Sequence, residues 1–154
     1  MPEPLTFSIK RPVRFADSDL LQIVWHGHYV LWLEDARQAL GEHIGLSYEA
    51  LIEYKIAAPI VELGLKYKLS ARYGDMLCIS AKLHWEETPK LRHTYEVRRE
   101  SDYVLLTTAE TTQVLVNTDG QMLLNFPDFL LDLRKRWQAG EIPATPETVN
   151  SPWG

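Results

Sequence analysis

Two aspartates and a histidine lie close together near the start of the chain, in the segment ADSDLLQIVWHGHY. Asp17 and Asp19 follow a strand-like run, and His26 comes seven residues after Asp19. A carboxylate beside a carbonyl can attack its carbon or activate a water that does so. An imidazole, with an ordinary pKa of about 6.5, can transfer a proton or orient the reacting groups. Singly, the aspartates could be loop residues that bind backbone amides, and the histidine a capping or surface residue. Together they indicate a site for chemistry at a carbonyl.

An apolar helix is predicted to begin directly after His26, at Gly27. The first turn of a helix has unpaired N–H groups and a partial positive charge, so the amides of residues 26–29 could hold a carbonyl oxygen as it becomes an oxyanion. Gly27 would let a ligand approach closely. Trp25 and Tyr29 are candidates either for an acyl pocket or for the core.

Lys90 and Arg92 form a basic cluster, with Arg98 and Arg99 further along the chain. A phosphate-bearing ligand could use these side chains, although a solvated turn is the simpler explanation of the cluster. The Asp17-Ser18-Asp19 pair has no second ligand cluster near it in sequence, so we expect no metal site.

The composition indicates one ordinary globular domain. The chain has 154 residues and a net charge of −5, which disfavours general attraction to nucleic acid or an anionic membrane. Its single cysteine, Cys78, excludes an internal disulfide and fits a reducing compartment. We find no signal-peptide pattern and no run of 18 apolar residues, so a cytoplasmic protein without a membrane span is expected.

The hydrophobic periodicity predicts one long helix among antiparallel strands. The predicted elements are a strand over 5–15, a loop over 16–25, a helix from Gly27 to about Ile44 that ends at Gly45, a short helix over Tyr48–Tyr54 capped by Ser47, strands over 61–69, 77–85, 91–99 and 104–116, and a helix over Phe129–Gln138. This order is an α+β plan in which the sheet curls around the long helix. Its free sheet edges would be satisfied by pairing in a dimer. Residues 1–138 form the predicted domain, and 139–154 a proline-containing tail, extended or disordered, whose Trp153 could dock elsewhere.

The segment Arg14–Arg37 resembles the 4-hydroxybenzoyl-CoA thioesterase family of hotdog-fold acyl-CoA thioesterases. The matching residues are Asp17-Ser18-Asp19, Ile23-Val24, Trp25-His26, Tyr29 and Glu34-Asp35-Ala36-Arg37. The order and lengths of the elements extend the resemblance to roughly residues 5–138. It implies a single hotdog domain, in which a curved antiparallel five-stranded sheet wraps a long central helix.

The resemblance also implies a function. Asp19 would be the catalytic carboxylate, the His26 amide would hold the carbonyl oxygen, and the His26 side chain would assist. Gly27, Trp25, Tyr29, Lys90 and Arg92 are the expected substrate-binding residues. The substrate would be an acyl-CoA, with no metal and no cofactor beyond the coenzyme A of the substrate itself. Sites between subunits imply a homodimer, or a homotetramer made from two dimers.

Two positions depart from the family pattern. Gln22 stands where many members have glycine, and Phe15 stands where one subgroup has a tyrosine, so that hydroxyl is either lost or supplied elsewhere. Hydrolysis of acyl-carrier-protein thioesters and a non-catalytic acyl-CoA-binding role are the alternatives. A hotdog dehydratase is disfavoured because its H-F-P-type motif is missing.

Overall fold

A computed structural model describes residues 1–144 and 149–150. Its elements are β1 (Leu5–Pro12), one turn of 3-10 helix (Phe15–Asp17), α1 (His28–Ile44), α2 (Tyr48–Glu53), β2 (Ile60–Tyr67), β3 (Met76–Leu83), β4 (Lys90–Arg99), β5 (Leu105–Val114), α3 (Asp128–Gln138) and β6 (Val149–Asn150). No helix in these ranges is long and apolar enough to cross a membrane.

Helix α1 is the centre of the fold. Every apolar position at its three- and four-residue spacing is buried, and the set is Tyr29, Trp32, Leu33, Ala36, Ala39, Leu40 and Ile44. Burial of a large apolar side chain contributes about 1.5–3 kcal/mol, so this face anchors the helix to the sheet. The helix ends at Gly45, whose φ of 89° is in the left-handed region that glycine adopts freely. The predicted extent and end of this helix are confirmed.

The sheet has the strand order β2-β5-β4-β3-β1-β6. Its five long strands pair antiparallel with one another. Strand β4 alternates cleanly: Leu91, His93, Tyr95 and Val97 are buried, and the residues between them are more exposed. The predicted α+β fold, a curved antiparallel five-stranded sheet with one long helix, is confirmed.

The tail contributes one feature that the sequence did not predict. Val149–Asn150 pair in parallel with Ile9 and Lys10 of β1, and this short β6 makes a sixth strand. It covers part of the β1 edge. Trp153, the residue expected to dock elsewhere, lies outside the described residues.

Strand β2 lies at the opposite edge, where only β5 pairs with it within the described chain. Its alternating apolar residues were expected to form a face of the sheet, yet most of them are exposed: Val61 is 55% exposed, Leu63 45% and Tyr67 49%. An edge that offers both unpaired backbone groups and exposed apolar side chains can accept another strand.

Candidate active site

The loop that carries the two aspartates is closed by backbone pairing. The amide of Asp19 donates to the carbonyl of Ile23 (2.9 Å), and Ser18 forms a bridge with Val24. Ile23 also bridges to Arg72, which ties the loop to the segment that follows β2. These bonds hold residues 18–24 as a small hairpin in front of the N-terminus of α1.

The two aspartates have different surroundings. Asp17 is 6% exposed, and its carboxylate accepts a bond from the amide of Arg14 (2.9 Å) and lies 3.6 Å from Nδ1 of His28. Asp19 is exposed, and its Oδ1 accepts bonds from the amides of Leu21 (2.8 Å) and Ile23 (3.3 Å). Asp17 therefore closes the turn, whereas the Asp19 carboxylate is fixed by the loop and still faces solvent through its second oxygen.

Asp19 and His26 line the same cavity. Its volume is about 270 Å³, and its walls also include Ile23, Val24, Trp25, Tyr29, Tyr67, Leu69 and Ser70. Three of the sequence-predicted residues besides Asp19 therefore meet it here: His26, Trp25 and Tyr29. The contributions of Tyr67, Leu69 and Ser70 were not predicted, because they come from the far end of β2, about 40 residues later in the chain.

The amide of His26 forms no hydrogen bond within residues 1–144 and 149–150. It precedes α1, whose first turn has no side-chain cap, so the positive end of the helix remains available to an oxygen atom. The carbonyl of His26 accepts a bond from the hydroxyl of Tyr67 (2.9 Å), which fixes the peptide that follows, between His26 and Gly27. Tyr67 therefore provides a phenol hydroxyl at this site, a group that the side chain of Phe15 lacks.

The chain is similar to known proteins in sequence and in fold. The family model for the thioesterase-like superfamily matches residues 13–133. The chain belongs to that superfamily. The acyl-CoA thioester hydrolase YbgC of Escherichia coli is 30% identical over 108 residues, which span 69% of this chain and 80% of that protein. Two other curated relatives, from Bacillus subtilis and Synechocystis, match over 63 and 86 residues, and the chain spans about half the length of each.

The solved structure of 4-hydroxybenzoyl-CoA thioesterase from a Pseudomonas strain has the same fold. Its TM-score is 0.74 at 23% identity, and the match covers 84% of this chain and 99% of that one. The hotdog architecture expected of the family member is therefore confirmed.

In this member of the thioesterase-like superfamily, the missing side chain of Gly27 makes room for the ring of Trp25. A Cβ built at Gly27 would overlap the ring of Trp25. The indole, which is 54% exposed, therefore lies across the start of α1 in the space that glycine leaves open. The space that was expected to admit substrate is filled by this side chain, so a ligand that needs it must displace the ring.

Tyr29 is both a core residue and a wall of the cavity. It is 2% exposed, its hydroxyl accepts a bond from the amide of Ala71 (2.9 Å), and its ring packs edge-to-face on Tyr67. Burial raises the pKa of the Tyr29 hydroxyl, so it stays a neutral phenol. Tyr29 was a candidate either for the core or for an acyl pocket, and these two interpretations are compatible.

The structure does not bring Lys90 and Arg92 to this cavity. Lys90 pairs in the sheet with Val114, whereas Tyr67 pairs with Thr107, seven positions and about 23 Å along the sheet. Arg92 is bound by Glu86 (2.7 Å) and Glu110 (3.3 Å), and Lys90 lies 3.8 Å from Glu86. Within one protomer, their charges are balanced by carboxylates at the other end of the sheet.

A different set of cations lies beside the Asp19 cavity. A second cavity of about 390 Å³ shares Tyr67, Leu69 and Ser70 with it and adds Lys68, Arg72 and Arg99. Arg99 is held by Asp75 and Asp102, but Lys68 and Arg72 form no ion pair within the described ranges. The spacing of residues in the sequence could not reveal this set, because Arg99 lies in β4, whereas Lys68 and Arg72 lie in the segment that follows β2.

Gln22 keeps the backbone conformation that glycine would adopt at its position. Its φ is 61°, in the left-handed region, and its amide donates to the carbonyl of Asp19 (2.9 Å). The departure from glycine therefore leaves the turn in place, with a side chain at a φ that disfavours one.

Proposed function

We propose that the chain is an acyl-CoA thioesterase, which hydrolyses a thioester to a carboxylic acid and coenzyme A. The observation that carries the proposal is the cavity at the start of α1 that Asp19 and His26 both line, together with a His26 amide that has no hydrogen-bond partner among the described residues. Membership of the thioesterase-like superfamily and the similarity to the acyl-CoA thioester hydrolase YbgC support it.

The chemistry assigns one role to each group. The His26 amide and the first turn of α1 stabilise negative charge on the carbonyl oxygen as the acyl carbon becomes tetrahedral. Asp19 either attacks that carbon or takes a proton from the water that does. The carbon–sulfur bond then breaks, and the thiolate leaves and is protonated. If Asp19 itself attacked, water then hydrolyses the acyl–Asp19 anhydride, which releases the carboxylic acid and restores the carboxylate. The His26 side chain, exposed at the cavity, assists proton transfer.

The reaction needs no metal and no cofactor beyond the coenzyme A of the substrate, because a thiolate is already a good leaving group. We place the enzyme in the cytoplasm, in keeping with the buried free thiol of Cys78.

Lys68 and Arg72 are proposed to bind the phosphates of coenzyme A, in place of Lys90 and Arg92. They line the cavity adjoining Asp19 and have no carboxylate partner within the described residues. A phosphate oxygen would provide the charge-assisted bonds that these cations lack.

The assembly proposed is a homodimer formed by β2, with a homotetramer built from two such dimers as its larger form. The free edge of β2 and its exposed Val61, Leu63 and Tyr67 support this arrangement. If two β2 strands pair antiparallel, the Tyr67 end of one meets the Ile60 end of the other. Each catalytic cavity would then be completed by a second copy.

The first experiment measures thiol release from a panel of acyl-CoAs by wild type and Asp19→Asn. The amide oxygen can still accept bonds from Leu21 and Ile23, so the loop keeps its shape while the charge is lost. We expect a loss of at least roughly 10²-fold in kcat. Asp119→Asn, in the exposed turn after β5, is the matched control and should behave as wild type.

Equal rates for Asp19→Asn and wild type would contradict the assignment of Asp19. If the wild-type enzyme is inactive on every acyl-CoA but active on acyl-carrier-protein thioesters, those thioesters would replace acyl-CoA as the proposed substrate.

The phosphate contacts are tested with acyl-CoA and acyl-pantetheine, which lacks the nucleotide phosphates. The double variant Lys68→Gln/Arg72→Gln should raise KM for acyl-CoA by about tenfold and leave acyl-pantetheine unchanged. The control is the double variant Lys90→Gln/Arg92→Gln. A rise in KM for acyl-CoA that is seen only in this control would favour Lys90 and Arg92 as the phosphate-binding residues.

A further inference from the structure

The side chain of Tyr67 connects the end of β2 to the start of α1. Its hydroxyl donates to the carbonyl of His26 (2.9 Å), and its ring packs edge-to-face on Tyr29, with the ring centres 5.1 Å apart. Tyr67 lines both the Asp19 cavity and the second cavity beside it. The chemistry proposed above gives this side chain no role, although the two cavities share it.

The surroundings of Tyr67 keep its hydroxyl in place as a donor. Tyr67 pairs with Thr107 of β5, and the amides of the next two residues, Lys68 and Leu69, both donate to the carbonyl of Leu106 (2.8 and 3.1 Å). Partial burial raises the pKa of the Tyr67 hydroxyl, so this group stays protonated at neutral pH. A protonated hydroxyl that is fixed by the sheet can hold the carbonyl that it binds.

The bond from Tyr67 acts on the peptide group between His26 and Gly27. In a planar trans peptide the C=O and the N–H point in opposite directions, so the hydroxyl that holds the His26 carbonyl also sets the direction of the Gly27 amide. Like the amide of His26, the Gly27 amide forms no hydrogen bond within the described ranges. Two neighbouring N–H groups therefore lie without partners in this part of the chain, at the N-terminus of α1, where the helix dipole favours negative charge.

The same bond strengthens the Gly27 amide as a donor. A carbonyl that accepts a hydrogen bond polarises its peptide group, and linked hydrogen bonds reinforce one another. Gly27 is the N-cap of α1 and has a helical backbone conformation, with φ −69° and ψ −23°, so its N–H is directed out of the helix start. Donors that are fixed before the reaction stabilise an oxyanion without a cost of reorganisation.

We propose that Tyr67 is a positioning residue for thioester hydrolysis, and that its hydroxyl holds the Gly27 amide as a second donor, beside the His26 amide, to the oxyanion. The proposal rests on the thioesterase function proposed above. Tyr67 neither binds the substrate oxygen nor exchanges a proton with it, since its hydroxyl proton is donated to the His26 carbonyl. Loss of the hydroxyl should therefore weaken the transition state and leave binding of the thioester unchanged.

The first test is steady-state hydrolysis of acyl-CoA by Tyr67→Phe, which keeps the ring that packs on Tyr29 and removes only the hydroxyl. We expect kcat to fall about tenfold, while KM stays within about twofold of wild type. The bond is exposed, so water can replace it, and Tm should stay within about 2 °C. The sedimentation coefficient should not change. Tyr103→Phe is the control, because Tyr103 is 60% exposed and its hydroxyl forms no hydrogen bond within the described residues.

Two unreactive analogues separate positioning of the oxyanion donor from a general disturbance of the site. The ketone of trifluoroacetonyl-CoA readily becomes tetrahedral by adding water or a carboxylate, whereas the ketone of acetonyl-CoA stays trigonal. Tyr67→Phe should weaken binding of the first analogue about tenfold and of the second less than twofold, because only the first carries the charge or dipole of the tetrahedral state. Equal weakening of both analogues would overturn the proposal, since the hydroxyl would then contribute to binding alone.

Amide NMR spectra of the free protein test the contact without any substrate. Tyr67→Phe should shift the Gly27 amide resonance, whose peptide loses a bond at its carbonyl, and Tyr103→Phe should leave it in place. If wild type hydrolyses acyl-CoAs and Tyr67→Phe keeps its kcat, the positioning proposal fails and the thioesterase proposal stands. If wild type hydrolyses no acyl-CoA, the thioesterase proposal fails. A Gly27 resonance that moves, with selective loss of trifluoroacetonyl-CoA binding, would then still support the alignment of this donor by Tyr67, and an unmoved resonance would overturn it.

Discussion

Replacing Gln22 by glycine is predicted to stabilise the protein without changing the catalytic loop. The φ of Gln22 is 61°, and its side chain makes no hydrogen bond within the described residues. A residue with a Cβ pays about 1–2 kcal/mol in the left-handed region. Glycine removes that cost but adds about 0.5–1 kcal/mol of backbone entropy in the unfolded chain. The net expected gain is about 0.5 kcal/mol in the free energy of unfolding.

Urea unfolding and thermal unfolding would both detect this gain. For a chain of this size, about 0.5 kcal/mol corresponds to a rise of about 1–2 °C in Tm. The backbone bond from Gln22 to the carbonyl of Asp19 remains, so kcat should stay within about twofold of wild type. Lys55→Gly, at a φ of 59° away from the cavity, should give a similar gain in stability.

The opposite substitution makes the test sharper. Gln22→Val places a β-branched side chain at the same φ and should lower the free energy of unfolding by about 1 kcal/mol or more. The reasoning is refuted if the valine variant is as stable as wild type, or if the glycine variant is less stable, since either result would mean that the loop is not held in the left-handed conformation.

Three further predictions concern the interior, the sheet edge and the C-terminal helix. The pKa of His93 falls from its ordinary 6.5 to about 3 on burial, so only the unfolded chain takes up this proton as the pH falls below 6.5. Between pH 7 and pH 5, wild type should therefore lose about 2 kcal/mol more unfolding free energy than His93→Leu, and parallel urea curves would contradict this. Leu63→Lys places a charge on the exposed edge of β2 and should convert the proposed dimer to monomers in sedimentation experiments, with loss of thiol release; an unchanged sedimentation coefficient would exclude this edge as the interface. The Arg134 guanidinium lies 3.8 Å from the ring centre of Trp85 and 4.0 Å from that of Phe126, so Arg134→Met should cost about 1–2 kcal/mol in urea unfolding, and a loss below about 0.5 kcal/mol would show that the stacking contributes little.

The elements with strong periodicity could be predicted from the sequence. The buried face of α1 follows from seven apolar residues at helical spacing, and Gly45 supplies the stop. Strands β3 and β4 follow from alternation, because both have one covered face. In each case, the local pattern and the tertiary environment specify the same structure.

The environment of β2 could not be predicted in the same way. Its alternation resembles that of β3, yet Val61 and Leu63 are exposed in the single chain. Alternation with a period of two predicts that one face of a strand is apolar. It does not predict whether that face is covered by the same chain or by another. The β6 strand was missed for a related reason, since two residues carry no periodicity and their pairing with β1 is decided by a contact about 140 residues away.

The part of the candidate site whose residues are close in sequence could be predicted. Asp19, His26, Trp25 and Tyr29 come from one segment, and the structure places all four on one cavity. Tyr67 was not predictable, because an aromatic residue near the end of a strand gives no sign that its hydroxyl will reach the carbonyl of His26.

The two candidate sets of phosphate-binding residues differ in how far the sequence could point to them. Lys90 and Arg92 are two residues apart, but both point from one strand toward glutamates. Lys68 and Arg72 lie on either side of a bend, and the fold brings them to the same cavity. At physiological ionic strength, charges more than about 8 Å away are largely screened, so the net charge of −5 has little influence on a bound phosphate. The few cations in direct contact decide its binding, so we expect Lys68 and Arg72, which have no carboxylate partner within the described residues, to contribute more than Lys90 and Arg92, which glutamates already neutralise.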